Sequence, residues 1–170
     1  LGEPYLRFSA FMTLMGGAGT DNRHNHKYYL NPSNGIYEPI EWDTTFFTLS
    51  SLHRPLTYSQ HDIDALFFLT PHLVYQRNLI LNQYLSPEHE SAIIKKIIDR
   101  SEQISYEIMH DKYKKNAAGS DTWVLTNGEW RDNVMQLQQR VSERFSFLRK
   151  ELEKTNLTIF IINNTTIVFD

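Results

Sequence analysis

The chain has no cysteine among its 170 residues. That excludes disulfides, zinc–thiolate centres and a cysteine nucleophile, and it leaves the redox compartment open. Basic residues are not in excess: 17 Lys and Arg stand against 20 Asp and Glu, a net charge of −3. A general nucleic-acid binder needs a basic surface to meet the phosphate backbone, so no nucleic-acid partner is expected. No apolar run approaches the roughly 20 residues of a membrane span, and no signal-peptide pattern opens the chain. Repeats and low-complexity tracts are also missing. What is present is an ordinary globular composition, 41% apolar and 22% charged, at a length that suits one domain with a real core. The chain opens Leu1-Gly2-Glu3-Pro4 rather than with Met, as expected of a processed chain or a piece of something larger.

Local patterns predict a helix-rich α+β fold. Pro4 suits a first helical turn, and Tyr5, Leu6, Phe8, Phe11, Met12, Leu14 and Met15 make a mostly apolar helix stopped by Gly16-Gly17. A helix apolar nearly all round is a buried helix. Lys27 to Leu30 and Ile36 to Glu41 read as two short strands, joined by the turn residues Asn31-Pro32-Ser33-Asn34-Gly35. Tyr28, Tyr29 and Tyr37 suit a hairpin packed on one face. The segment 44–59 has no clear period. His61 to Leu69 reads as a short helix, and Pro71 begins another that runs to about Leu85. Ser86-Pro87-Glu88 starts a third, with isoleucines on roughly one side, fading near Lys114 to Gly119. Trp130, Val134, Leu137, Val141, Phe145, Leu148 and Leu152 recur every three or four residues, the cleanest amphipathic helix in the chain. Leu157 to Phe169 turns to β-branched residues around Asn163-Asn164 and reads as an extended hairpin. Trp123 and Trp130 read as core or interface anchors.

The residues that carry chemistry lie around the first hairpin. Asp21 is a loop acid, Asn25 an amide four residues on, and Asp43 a second acid delivered by the hairpin. Phosphotransferases of the protein-kinase type use this layout: one acid takes the proton from the attacking hydroxyl, while an amide and a second acid hold a divalent metal against the nucleotide phosphates. Taken singly, Asp21 also fits a turn or cap aspartate, and Asp43 a turn former at a strand end. Arg23 and Lys27 are the local cations for phosphate contact, with a solvated face the ordinary role of Lys27. His24 and His26 are spaced to sit on one face of a strand and to bind a transition metal if Glu41, Asp43, His53 or His61 completes the set. Bracing the loop by hydrogen bonds is their simpler role. Arg140 and Arg144, on the flank of the last helix, read as surface charge, the alternative being a pairing with a carboxylate of the active loop.

The string Asp21-Asn22-Arg23-His24-Asn25-His26-Lys27-Tyr28-Tyr29-Leu30, the turn 31–35 and Tyr37-Glu38-Pro39-Ile40-Glu41-Trp42-Asp43 together resemble the core of the CotH kinase family. These are spore-coat and other secreted or surface bacterial proteins with an atypical protein-kinase-like fold. The resemblance runs from about Tyr5 to Lys154 and includes a late helix carrying an arginine. It implies a kinase-like C-terminal lobe over 1–155, with a small hairpin carrying the site and a helical bundle behind it. Residues 156–170 would begin a following domain. It further implies phosphoryl transfer from ATP, with Mg²⁺ or Mn²⁺, to Ser or Thr hydroxyls of a protein substrate, outside the cytoplasm. Asp21 would be the catalytic acid, and Asn25 and Asp43 the metal-side residues.

The chain departs from the family pattern at three points. Thr45 stands where the family has a further acid. Asn25 follows Asp21 by four residues, where kinases place their amide five after the acid. No glycine-rich nucleotide cover or phosphate-binding lysine on a strand precedes the first helix, so an N-terminal lobe is expected to be missing and the isolated chain to be inactive or very weak. Two further readings stay open: a pseudokinase or protein-interaction module on the same scaffold, and a metal hydrolase built on His24 and His26. Asn156-Leu157-Thr158 and Asn163-Asn164-Thr165 fit glycosylation sequons, relevant if the source is a eukaryotic secretory protein.

Overall fold

A computed structural model describes residues 2–17, 27–40, 46–58, 67–111 and 126–155, and the backbone of 158–162 and 165–169. Among these the fold is α+β and mostly helical. Helix α1 is Glu3–Met15, strands β1 and β2 are Lys27–Asn31 and Ile36–Ile40, and a short 3₁₀ turn covers Leu49–Ser51. Helices α2, α3 and α4 are Pro71–Tyr84, Pro87–His110 and Asn127–Lys154, and strands β3 and β4 are Thr158–Ile162 and Thr165–Phe169. The chain divides into two compact units, Leu1–Ser86 with Glu143–Asp170, and Pro87–Ser142. The single bundle expected over 61–154 is thus shared between them: α2 and the end of α4 belong to the first unit, α3 and the start of α4 to the second. Of the short helix expected at 61–69, residues 61–66 lie outside the described residues; Phe67 and Phe68 are helical.

Helix α1 begins and ends where the sequence predicts. Proline occupies its first turn, and Gly16 closes it at φ 75°, its N–H reaching back toward Thr13 O. The left-handed turn needs a residue without a Cβ for a second reason: one built on Gly16 would lie 2.7 Å from Ser51 Oγ and 2.8 Å from Ser51 Cβ. Tyr5, Leu6, Ser9, Ala10, Met12 and Leu14 are buried on α1. Tyr5 and Leu6 form a core with Phe67, the Tyr5 and Phe67 rings 5.9 Å apart, and Tyr28, Phe68, Leu73, Val74 and Ile80 pack around it. Strand β1, helix α2 and helix α1 therefore share one apolar centre.

The β1–β2 hairpin is antiparallel, with Lys27 opposite Ile40, Tyr28 opposite Pro39 and Leu30 opposite Tyr37. Its turn is organised by Asn31. The Asn31 Oδ1 accepts from Ser33 N–H at 3.0 Å and from Ser33 Oγ at 2.6 Å, and Asn31 Nδ2 donates to Glu38 Oε1 at 2.8 Å. Gly35 completes the turn at φ 68°. Only one of the three tyrosines expected to pack does so. Tyr28 joins the core, whereas Tyr29 is 49% and Tyr37 66% exposed. Alternation explains Tyr29, which points to the face opposite Tyr28, while Tyr37 pairs with Leu30 close to the turn.

In the second unit, no residue of α3 is fully buried despite its isoleucines. Ile98, Ser101, Ser105 and Met109 instead line an open groove with Trp130, Val134 and Met135 of α4. Helix α4 opens with a capping box: Glu129 N–H donates to Thr126 Oγ1 at 3.2 Å and Thr126 N–H to Glu129 Oε2 at 2.7 Å. These bonds hold the Glu129 carboxyl below the usual carboxylate range. Strands β3 and β4 form the extended hairpin expected at the C-terminal end, Thr158 pairing with Phe169 and Ile162 with Thr165.

The two positive-φ glycines separate strain from crowding, because a Cβ on Gly35 would meet nothing within 4 Å. Gly35→Ala is expected to lower stability by about 1 kcal/mol from backbone strain alone. Gly16→Ala should lower it by about 2 kcal/mol or more, since strain and a collision with Ser51 add. Urea denaturation followed by circular dichroism reads both; equal losses would refute the close packing of Gly16 on Ser51.

Candidate functional site

Asp21, Arg23, His24, Asn25, His26, Asp43 and Thr45 lie outside the described residues. Lys27 is the one member of the predicted set that the structure describes. It is the exposed first residue of β1, a position that fits its solvated-face reading. Among the described residues no group of three or more His, Cys, Asp or Glu could hold a metal ion. His53, a candidate to complete a histidine site, is engaged elsewhere: Nε2 lies 3.1 Å from Glu143 Oε1 and the ring meets Phe147 edge-on at 5.2 Å.

The residues flanking the two acid-bearing segments are tied together on both sides. On one side Lys27, which follows segment 18–26, pairs with Ile40, which precedes segment 41–45. On the other, the Phe47 N–H, just past 41–45, donates to Met15 O at 3.1 Å, and Met15 ends α1 just before 18–26. The rings of Phe11 and Phe46 add an edge-on contact at 5.8 Å on that side. Phe47 is buried and held at φ 49°, a left-handed conformation that an aromatic residue adopts only when its surroundings enforce it. The Met15 hydrogen bond and the buried ring supply that enforcement. Segment 18–26, which carries Asp21 and Asn25, therefore leaves from the anchor at which segment 41–45, which carries Asp43, ends, and it ends at the anchor from which that segment leaves.

Three arginines gather at the Met15 anchor. A helix leaves its last carbonyls without helical partners, and these must be satisfied when the end is buried. Arg144 of α4, only 1% exposed, donates Nη2 to Thr13 O at 2.6 Å and Nε to Leu14 O at 3.3 Å. Its Nη1 reaches Leu52 O at 3.0 Å and Arg54 O at 2.7 Å. Arg54 continues the pattern, with Nη1 on Gly16 O at 3.0 Å and Gly17 O at 2.7 Å, its guanidinium stacked 4.2 Å from the Tyr58 ring centre. Arg77, fully buried on α2, donates Nη1 to Thr13 Oγ1 at 2.9 Å and to Leu56 O at 3.0 Å. Cations at a helix C-terminus also meet the negative end of its dipole.

Arg144 is therefore not the surface charge that its flank position suggested. It lies three residues after Val141 and four before Leu148, on the apolar stripe itself, and that register was the available signal. Arg140 behaves as expected of a helix-surface residue, bonding Gln136 one turn away at 2.9 Å. Burial, and then the charge of Arg54, lower the Arg144 pKa to about 10, with Glu151 opposing. The group stays charged through the neutral range and its donors stay available. Arg54 and Arg77 gave no sequence signal, because each stands in a segment without a clear apolar period.

No protein-family model matches this chain, and neither a curated protein nor a solved structure matches it.

Arg144→Met keeps much of the side-chain volume but takes a donor from four carbonyls, of which Thr13 O keeps the Gly16 N–H; each buried group left unpaired costs about 1–3 kcal/mol. The expected loss is at least about 3 kcal/mol by urea denaturation, against at most about 0.5 kcal/mol for Arg140→Met. An Arg144→Met protein as stable as the wild type would remove the arginine clamp from the account.

Proposed function

We propose that this chain is the catalytic, C-terminal lobe of a CotH-like atypical protein kinase, secreted or displayed at a surface. The reading is supported above all by the paired anchors of the two acid-bearing segments: Lys27 with Ile40 on one side, and Phe47 with Met15 on the other. Two short segments returned to common anchors are what a site needs if acids separated in sequence are to serve one substrate. The arginine clamp supports the same reading, because it fixes the helix end from which the Asp21 segment departs. A late helix carrying an arginine belongs to the family pattern as well, and α4 carries Arg140 and Arg144.

In this reaction Asp21 accepts the proton of a Ser or Thr hydroxyl on the protein substrate as its oxygen attacks the γ-phosphorus of ATP; the bond to the bridging oxygen breaks and ADP departs. Asn25 and Asp43 supply the hard oxygen ligands that suit Mg²⁺ or Mn²⁺, and the bound cation would neutralise charge on the phosphates. Arg23, His24 and Lys27 are placed by sequence to brace the loop or meet phosphate. The chain's own contribution is positioning, through the hairpin and the α1 terminus.

A second reading, a pseudokinase or protein-interaction module, draws on Thr45 in place of a family acid and on the apolar residues the hairpin leaves in solvent. Tyr29, Leu30, Ile36, Tyr37 and Ile40 are all exposed.

Incubating the full-length natural polypeptide with γ-labelled ATP and Mg²⁺ or Mn²⁺ tests the proposal. Label should reach protein hydroxyls and fall at least about a hundredfold in Asp21→Ala, the scale of loss when a general base is removed, and by a similar factor in Asp43→Ala, which takes away a carboxylate for the metal. Label transfer that both variants retain would refute the kinase reading. No transfer, together with an ATP–Mg²⁺-dependent rise in melting temperature, would favour the pseudokinase.

A further inference from the structure

The second unit, Pro87–Ser142, has an uncovered face whose role does not depend on the kinase reading. Its helix α3 buries no residue fully. Ile98 is 36% and Met135 60% exposed, and both line the open groove between α3 and the start of α4. The groove holds about 530 Å³, far more than packed helices leave between them. An apolar helix face needs another element to cover it, and two helices cannot enclose a core by themselves. A second helix pair laid across the groove would complete a four-helix bundle.

The charges of the groove say which helix pair fits. Two of its lining residues are charged, Glu102 on the α3 wall and Arg131 on the α4 wall. Both are exposed, and neither side chain has an ion-pair or hydrogen-bond partner among the described residues. One acid and one base on facing walls make the surface self-complementary, because a two-fold rotation can set each charge against its opposite. A strongly acidic or strongly basic partner would match one wall and oppose the other.

The register agrees. Asn127 Nδ2 donates to Met109 O at 3.2 Å, so the end of α3 lies beside the start of α4 and the two helices run back along the groove as an antiparallel pair. Counted from that bond, Glu102 stands level with Val134, three residues from Arg131, or about 4.5 Å of helix rise. With the two-fold axis along the helix pair, α3 of one copy lies over α4 of the other. Each Glu102 then falls within side-chain reach of the partner's Arg131.

We propose that the open face of α3 and the start of α4 is a dimer interface for a second copy of this chain, its apolar seam flanked by two symmetric Glu102–Arg131 ion pairs. Sedimentation equilibrium of the full chain should show a monomer–dimer equilibrium. Glu102→Lys and Arg131→Glu should each weaken the dimer at least about tenfold, since like charges then face each other on both sides of the axis. The double variant Glu102→Lys/Arg131→Glu should return the affinity toward wild type. Met135→Asp, at an exposed position on the seam, should also dissociate the dimer. A chain that stays monomeric at every concentration would overturn the proposal and leave the groove to a different partner. A dimer indifferent to both charge reversals, such as one formed through the exposed β1–β2 hairpin, would overturn it too. So would a double variant no tighter than the single ones. Recovery in the double variant cannot come from misfolding, so the charge swap decides whatever the stability of the single variants.

Discussion

The first unit depends on how the C-terminal end of α1 is satisfied. A buried helix terminus exposes carbonyls to a medium without water, and here side chains from distant segments meet them. Arg144 comes from far along the chain, Arg54 from the segment after the hairpin, and Arg77, through the Thr13 hydroxyl, from α2. Each guanidinium serves more than one acceptor, and Arg144 does so with all three nitrogens of its planar fork. The arginines thereby join segments that apolar packing alone would leave free to slide. Tyr5, Leu6 and Phe67 supply the hydrophobic adhesion, and the directional bonds supply the register.

That register is set at one of the two anchors of the acid-bearing segments. The same helix end accepts the Phe47 N–H, so α1 termination, the arginine clamp and the return of the chain after segment 41–45 meet at one place. The strained backbone of Phe47 belongs to this meeting point. A left-handed aromatic residue persists where packing and hydrogen bonding over-determine it, and such residues cluster where function demands a particular chain path. The hairpin provides the opposite anchor, with Tyr28 holding β1 to the core and Asn31 fixing the turn.

Much of this architecture was legible because its signals are local. Gly16 ended α1, the turn 31–35 made the hairpin, Pro71 and Pro87 opened α2 and α3, and the apolar spacing from Trp130 to Leu152 drew α4. What escaped depends on long-range partners. Arg144 stands on an apolar stripe, and only the distant carbonyls of Thr13, Leu14, Leu52 and Arg54 explain a charge there. The isoleucines of α3 promised a buried face, but in a unit of α3 and the start of α4 they line an open groove instead. For the site, sequence named Asp21, Asn25 and Asp43, and the described structure speaks to their anchors. The shared anchoring could not be read beforehand, since the Phe47–Met15 bond joins residues with no pattern in common.

Recognition of main-chain oxygens has an evolutionary corollary. A carbonyl is the same acceptor whatever side chain its residue bears, so Leu14, Leu52 and Arg54 can change identity without altering what Arg144 grips. The reverse freedom does not exist, because no other side chain carries five donors in that geometry. Drift among homologues should thus spare the hand and replace what it holds. Lasting identity would gather at a few arginines, while the neighbours they bind diverge.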